Sequence, residues 1–204
     1  MRIGILGGVF NPPHLGHLVC GQEALVQLGI DRVLLVPVGE APHRAVDLDP
    51  GPETRVDLCQ AAVAGDERFG VSRVEVDREG PSYTVDTLRA LGGGTGGEDE
   101  LVVILGGDQA AELRRWHDPG GVLSLAEVAV TTRGNVGPAE VRTRLADLRG
   151  AERLRFFSMP RIDVSSTLVR ARVAEGLPIR YLVPDPVEAL ITERGLYRAE
   201  VGAR

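Results

Sequence analysis

Short apolar runs alternate with amphipathic stretches along this chain. Ile3, Ile5 and Leu6 form the first run, a buried strand that stops at Gly7-Gly8. Asn11-Pro12-Pro13 can neither continue a strand nor lie inside a helix, whereas proline is accepted just ahead of a helix or in its first turn. A helix is therefore predicted from His14, with Leu15, Leu18, Val19, Ala24, Leu25 and Val26 on one face up to Gly29. Arg32 to Val38 reads as a second strand, parallel to the first because a helix crosses between them. Gly39 to Gly51 is too long for a plain connector and is a candidate functional loop.

Further elements follow in the same rhythm. A helix is expected from Pro52-Glu53 to Ala64, a less buried third strand over Phe69 to Val76, and a short helix over Val85 to Leu91 with Ser82 or Thr84 as its N-cap. Gly92 to Gly97 holds five glycines in six residues and reads as a flexible surface connector. Leu101 to Leu105 is the most apolar strand, and Gly106-Gly107-Asp108 repeats at its end the glycine turn seen after strand one. The pattern then predicts a helix over Gln109 to Trp116, a strand over Glu127 to Thr132, a helix over Pro138 to Leu148 and a strand over Leu154 to Phe157. Asp163-Val164-Ser165-Ser166-Thr167-Leu168-Val169-Arg170 opens a helix that ends at Gly176, and Pro184 to Arg194 closes the chain.

Strands and helices in alternation imply an α/β protein: a doubly wound, Rossmann-like parallel sheet with helices on both faces. Such sheets set strands one and four side by side and bind ligands where the winding reverses, so Gly7-Gly8 is expected beside Gly106-Gly107. The length of 204 residues suits a single domain over 1–204, with a helical C-terminal part from about 163 to 204 packed on it. A net charge of -6 argues against a surface for duplex nucleic acid. All 23 basic residues are arginine, a bias that reads as genomic composition, so each arginine needs its own argument. Cys20 and Cys59, far from any C-x-x-C pattern, are expected to be reduced core residues. Met1 leads straight into a strand and no apolar run approaches the roughly 18 residues of a membrane span, so a cytoplasmic protein is expected.

His14 and His17, three apart, put two imidazoles on one side of a first helical turn whose backbone N–H groups lack intrahelical partners. Such an end binds anions. Zinc would need a third ligand that the neighbouring sequence does not offer. GGVFNPPHLGH, Gly7 to His17, resembles the signature of the nucleotidylyltransferase superfamily with its H-x-G-H element. Arg78-Glu79-Gly80-Pro81-Ser82-Tyr83-Thr84-Val85-Asp86-Thr87-Leu88 resembles the R-x-G-x-S-Y-T-x-D-T-L block of bacterial nicotinate mononucleotide adenylyltransferases, and V-S-S-T-L-V-R, Val164 to Arg170, resembles their I-S-S-T-x-I-R signature.

The resemblance implies adenylyl transfer from ATP, with magnesium, to nicotinate mononucleotide, giving deamido-NAD and pyrophosphate. It assigns His14, His17 and Arg170 to catalysis and Gly7, Gly8, Val9, Phe10, Gly106, Asp108, Ser165, Ser166 and Thr167 to ATP as well. Arg44 is assigned to both substrates, standing where the family usually has lysine, which keeps the charge but alters shape and reach. Gly8, Val9, Ser82, Tyr83, Thr84, Trp116 and Arg133 fall to the pyridine nucleotide, although Tyr83 and Asp86 equally suit structural roles. No protein-held metal, nucleic acid or membrane partner is expected, and the sequence is compatible with a homo-oligomer. The competing readings are the same chemistry on nicotinamide mononucleotide or another phosphate acceptor, and a nucleotide-binding regulator without turnover. Phosphopantetheine adenylyltransferases and glycerol phosphate cytidylyltransferases share the first motif but lack the second block.

Overall fold

The computed structural model describes residues 1–41, 47–92, 99–132 and 136–198. Six parallel strands form one sheet in the order β3-β2-β1-β4-β5-β6. They are β1 Arg2–Gly8, β2 Arg32–Pro37, β3 Phe69–Val71, β4 Glu100–Gly106, β5 Glu127–Thr131 and β6 Leu154–Phe157. Strand β1 pairs with both β2 and β4, so the winding reverses at the first strand, as the sequence pattern predicts.

Alternate residues of each strand enter opposite layers, which is why the strands read as unbroken apolar runs. Ile5, Leu101, Val103 and Leu105 join one core layer with α3 (Thr84–Ala90), α5 (Pro119–Leu125) and α6 (Pro138–Leu145). Leu6, Val102 and Ile104 join the other with α1 (Leu15–Leu28) and with Cys59 of α2 (Pro52–Val63). Both cysteines are buried free thiols, and burial raises the Cys59 pKa. Val26 departs from the predicted apolar face of α1 and is exposed. A third cluster joins Leu58 and Ala62 of α2 to Val169 of α7 (Ser166–Ala174), to Val187 and Ile191 of α8 (Asp185–Glu193), and to Tyr197.

Four sequence expectations are corrected. Strand β3 stops at Val71, because the chain turns at once: Asp77 N–H donates to the Arg73 carbonyl, and the Arg73–Asp77 ion pair closes the same turn. The expected helix over 109–116 is broken. Helix α4 covers Gly107–Ala111 and a 3-10 turn covers Leu113–Arg115, after which Trp116 is extended. Helix α5 was not foreseen, since its two glycines lower helix propensity, yet Asp118 caps it by accepting from Gly121 N–H at 2.9 Å and Pro119 starts it. Helix α6 ends at Leu145, three residues short of the expected Leu148. The connector expected at Gly92–Gly97 lies, beyond Gly92, outside the described residues. No helix among the described residues is long and apolar enough to cross a membrane.

Candidate active site

The hydrogen-bond ladder between β1 and β4 runs from Arg2–Glu100 to Ile5–Val103, whereas the strands continue to Gly8 and Gly106. A cavity of about 270 Å³ lies past the end of that ladder. It is lined by Ile5, Gly7 and Gly8 of β1 and Val9 just after it, by Val103 and Leu105 of β4, and by Gln109, Ser82, Thr84 and Trp116. A Cβ on Gly7 would meet nothing within 4 Å, so this glycine leaves room in the cavity that the protein does not fill.

Beside that cavity, α1 starts at the expected place. His14 is its N-cap, and His17 Nδ1 accepts from His14 N–H at 3.1 Å. The two imidazoles stack with centroids 3.8 Å apart, and the Phe10 ring meets His17 edge-on at 5.0 Å. Phe10 is buried with a positive φ of 53°, so it serves this turn as packing, and any part it takes in binding falls to its backbone.

The second hydroxyl cluster is tied to the same turn. Ser165 caps α7 by accepting from Leu168 N–H at 3.1 Å, Ser166 Oγ donates to the Pro12 carbonyl at 2.8 Å, and Arg170 Nη1 donates to the Asn11 carbonyl at 2.8 Å. Two segments more than 150 residues apart in sequence thus meet at Asn11-Pro12. Thr167 is exposed at the helix start. On the sheet's other half, exposed Asp108 sits in the first turn of α4, directly after Gly106 and Gly107.

Around the cavity wall the N-cap expectation fails. Tyr83 takes the N-cap position of α3 and makes no side-chain cap bond, while Ser82 is drawn inward. Ser82 Oγ accepts from Gly39 N–H at 3.0 Å and hydrogen-bonds to Glu75. Gly39 must be glycine here, since a Cβ would come within 2.2 Å of the Glu75 carbonyl oxygen. Tyr83 does not line the cavity; its ring stacks on His117 at 4.4 Å, beside Trp116. Arg44 and Arg133 lie outside the described residues, as does His43.

Two residues escape the sequence reading. Arg55 is 1% exposed and donates to the carbonyls of Val9, Val38 and Gly39 and to Asp49, so one guanidinium ties together the ends of β1 and β2 and the loop after them. A signal existed: Arg55 stands on the apolar stripe of α2, three, four and seven residues before Leu58, Cys59 and Ala62. Glu75, Thr87 and Gln109 also line the cavity, and Thr87 Oγ1 donates to Glu75 Oε1 at 2.7 Å. Burial raises the Glu75 pKa, an effect opposed by the hydroxyls of Thr87 and Ser82 and by the charge of Arg78. Glu75 left no sequence signal, because its neighbours Val74 and Val76 disguise an inward turn as an alternating strand.

Comparison with known proteins supplies the family. The model of the cytidylyltransferase-like family matches residues 5–172. A probable nicotinate-nucleotide adenylyltransferase of Roseiflexus sp. (strain RS-1) is 45% identical over 96% of this chain and 98% of its own length. The chain belongs to the cytidylyltransferase-like family, among the nicotinate-nucleotide adenylyltransferases. A second relative, the probable nicotinate-nucleotide adenylyltransferase of Rubrobacter xylanophilus, is 38% identical over 98% of this chain and 94% of its own length. Among solved structures, the Plasmodium falciparum nicotinic acid mononucleotide adenylyltransferase complexed with NaAD matches with a TM-score of 0.71 at 14% identity, covering 96% of this chain and 97% of that one. At that identity the match speaks for the fold, which is the doubly wound α/β sheet described above.

Proposed function

We propose that the chain transfers the adenylyl group of ATP to nicotinate mononucleotide, releasing pyrophosphate and forming deamido-NAD in NAD biosynthesis. The observation that carries this reading is one cavity that joins the first glycine turn, Gly7 to Val9, to Ser82 and Thr84 of the second motif and to Trp116. The attacking group is a phosphomonoester, already largely ionised at pH 7 with a second pKa near 6, so the reaction needs no general base. Its phosphate oxygen attacks the α-phosphorus of ATP and the bond to pyrophosphate breaks.

His14, His17 and Arg170 are assigned to the developing charge on the phosphates, with the free N–H groups of the α1 start. ATP lies along Gly7, Gly8, Val9, the Phe10 backbone, Gly106, Asp108 and the Ser165-Ser166-Thr167 helix start. Nicotinate mononucleotide takes Gly8, Val9, Ser82, Thr84 and Trp116, whose ring can stack on the pyridine. Tyr83 is reassigned to support through its stack on His117. Arg44 and Arg133 keep their assignments on the sequence pattern alone. Among the described side chains assigned to ATP only Asp108 is a carboxylate, so magnesium would enter as part of its ATP complex, coordinated by phosphate oxygens and water. The chain acts as one nucleotidylyltransferase domain, a reading supported by the α7 hydrogen bonds onto Asn11 and Pro12, and the expected cytoplasmic location rests on the sequence alone.

Incubation with ATP, magnesium and nicotinate mononucleotide should yield equimolar pyrophosphate and deamido-NAD. A folded protein that binds ATP but makes neither product would favour the regulator reading.

A further inference from the structure

Of the described side chains that line the cavity, only Glu75 carries a charge. It is 8% exposed, and the surroundings are mainly apolar: Ile5, Val9, Val38, Val103, Leu105 and Trp116. Ser82 Oγ already accepts from Gly39 N–H, which leaves its single proton for Glu75, and Thr87 gives its own proton to Glu75 Oε1. Two hydroxyl donors on one carboxyl group favour its ionised, acceptor-only form. Arg78 acts on Glu75 through its charge without touching it: no ion pair joins them, and both terminal guanidinium nitrogens are buried without a hydrogen bond. Burial pushes the Glu75 pKa up, so a carboxylate here gains from a cation placed in the apolar cavity, and no cationic side chain among the described residues touches it.

An N-glycosidic pyridine is quaternary and permanently cationic, and moving such a ring out of water costs free energy unless a partner compensates it. We infer that Glu75 is the counter-charge for the pyridinium ring, working with the π face of Trp116, so that the site selects a cationic ring over a neutral one of the same outline. The inference rests on the proposed reaction. It also fixes orientation: the ring carboxylate must turn away from Glu75.

Calorimetry tests this with two ligands that differ in ring charge, nicotinate mononucleotide and its neutral 1,4-dihydro form. The wild-type protein should bind the pyridinium form at least about tenfold more tightly, a difference of roughly 1.4 kcal/mol. Glu75→Gln should shrink that ratio to within about twofold, while Glu75→Asp retains most of it. The ratio is read inside one protein, so general damage to the pocket cancels. Equal affinity of the wild type for both rings overturns the inference and needs no variant. So does a Glu75→Gln protein that keeps the wild-type ratio, or one that loses both ligands equally, since Glu75 would then only hold Ser82 and Thr87 in place. Failure of the proposed reaction would look different: no turnover of nicotinate mononucleotide with ATP by the wild type.

Discussion

At the start of α7, Ser165 turns its hydroxyl back onto its own helix and caps Leu168 N–H, leaving Ser166 and Arg170 to grip the backbone of Asn11-Pro12. At the start of α3 the similar triplet Ser82-Tyr83-Thr84 does the reverse. Ser82 ignores its helix and bonds Gly39 N–H and Glu75 across the cavity wall. What separates them is burial: Ser165 is exposed, where water can serve any group the hydroxyl neglects, whereas Ser82 is buried and its hydroxyl supplies the acceptor for Gly39 N–H. One helix start faces the phosphate side of the proposed site and the other faces the pyridine side, so variants on each side should separate kcat from KM.

The largest effect is expected on the phosphate side. His17→Ala should lower kcat by about a hundredfold or more, the scale for losing one preorganised donor to transition-state charge, with circular dichroism unchanged. Turnover near that of the wild type would detach α1 and α7 from catalysis. On the pyridine side, kcat/KM for nicotinate mononucleotide should exceed that for nicotinamide mononucleotide by at least about tenfold. On the proposed binding mode the acid would accept from the N–H groups at the start of α3, while the amide would leave donors facing donors at roughly 1 to 3 kcal/mol each. Equal efficiencies would remove α3 from ring recognition and leave adenylyl transfer untouched.

The comparison is sharpest between two serines. Ser82→Ala removes the acceptor for Gly39 N–H and should raise KM for nicotinate mononucleotide by about fivefold, the weight of a hydrogen bond near 1 kcal/mol, with KM for ATP unchanged. Ser165→Ala should cost the cap, about 1 kcal/mol, seen as a melting temperature lower by roughly 2 to 4 °C, with any kinetic change confined to ATP. Its KM for nicotinate mononucleotide should not move. A Ser165→Ala protein with the Ser82→Ala kinetics would erase the distinction.

Much of the scaffold was legible because strands buried on both faces and helices with one apolar face leave periodic traces. The β1–β4 adjacency followed from that rhythm and from the rules of doubly wound sheets, although the pairing stops at Ile5–Val103 and the cavity takes in Gly7 and Gly8 without Gly106 or Gly107. The histidine pair was legible for a local reason: three residues along a helix is one turn, and the rings do stack. Errors arose where tertiary contacts overrode local preference. Trp116 reaches the cavity because the helix before it breaks at Glu112, and nothing in Gln109 to Trp116 marks that break.

By itself the sequence determined the order of elements, the glycine turns, the family motifs and the helix start that carries His14 and His17, since each depends on residues close in the chain. Only the tertiary structure decided what long-range burial controls. Arg55 acquires its role because three carbonyls from the ends of β1 and β2 converge on a guanidinium shut away from water. Glu75 becomes the one ionisable side chain among the described residues that line the cavity because Gly39, Ser82 and Thr87 close around it from two other segments. A buried polar group must find its partners inside the fold, and which partners are within reach is a property of packing that no window of sequence contains.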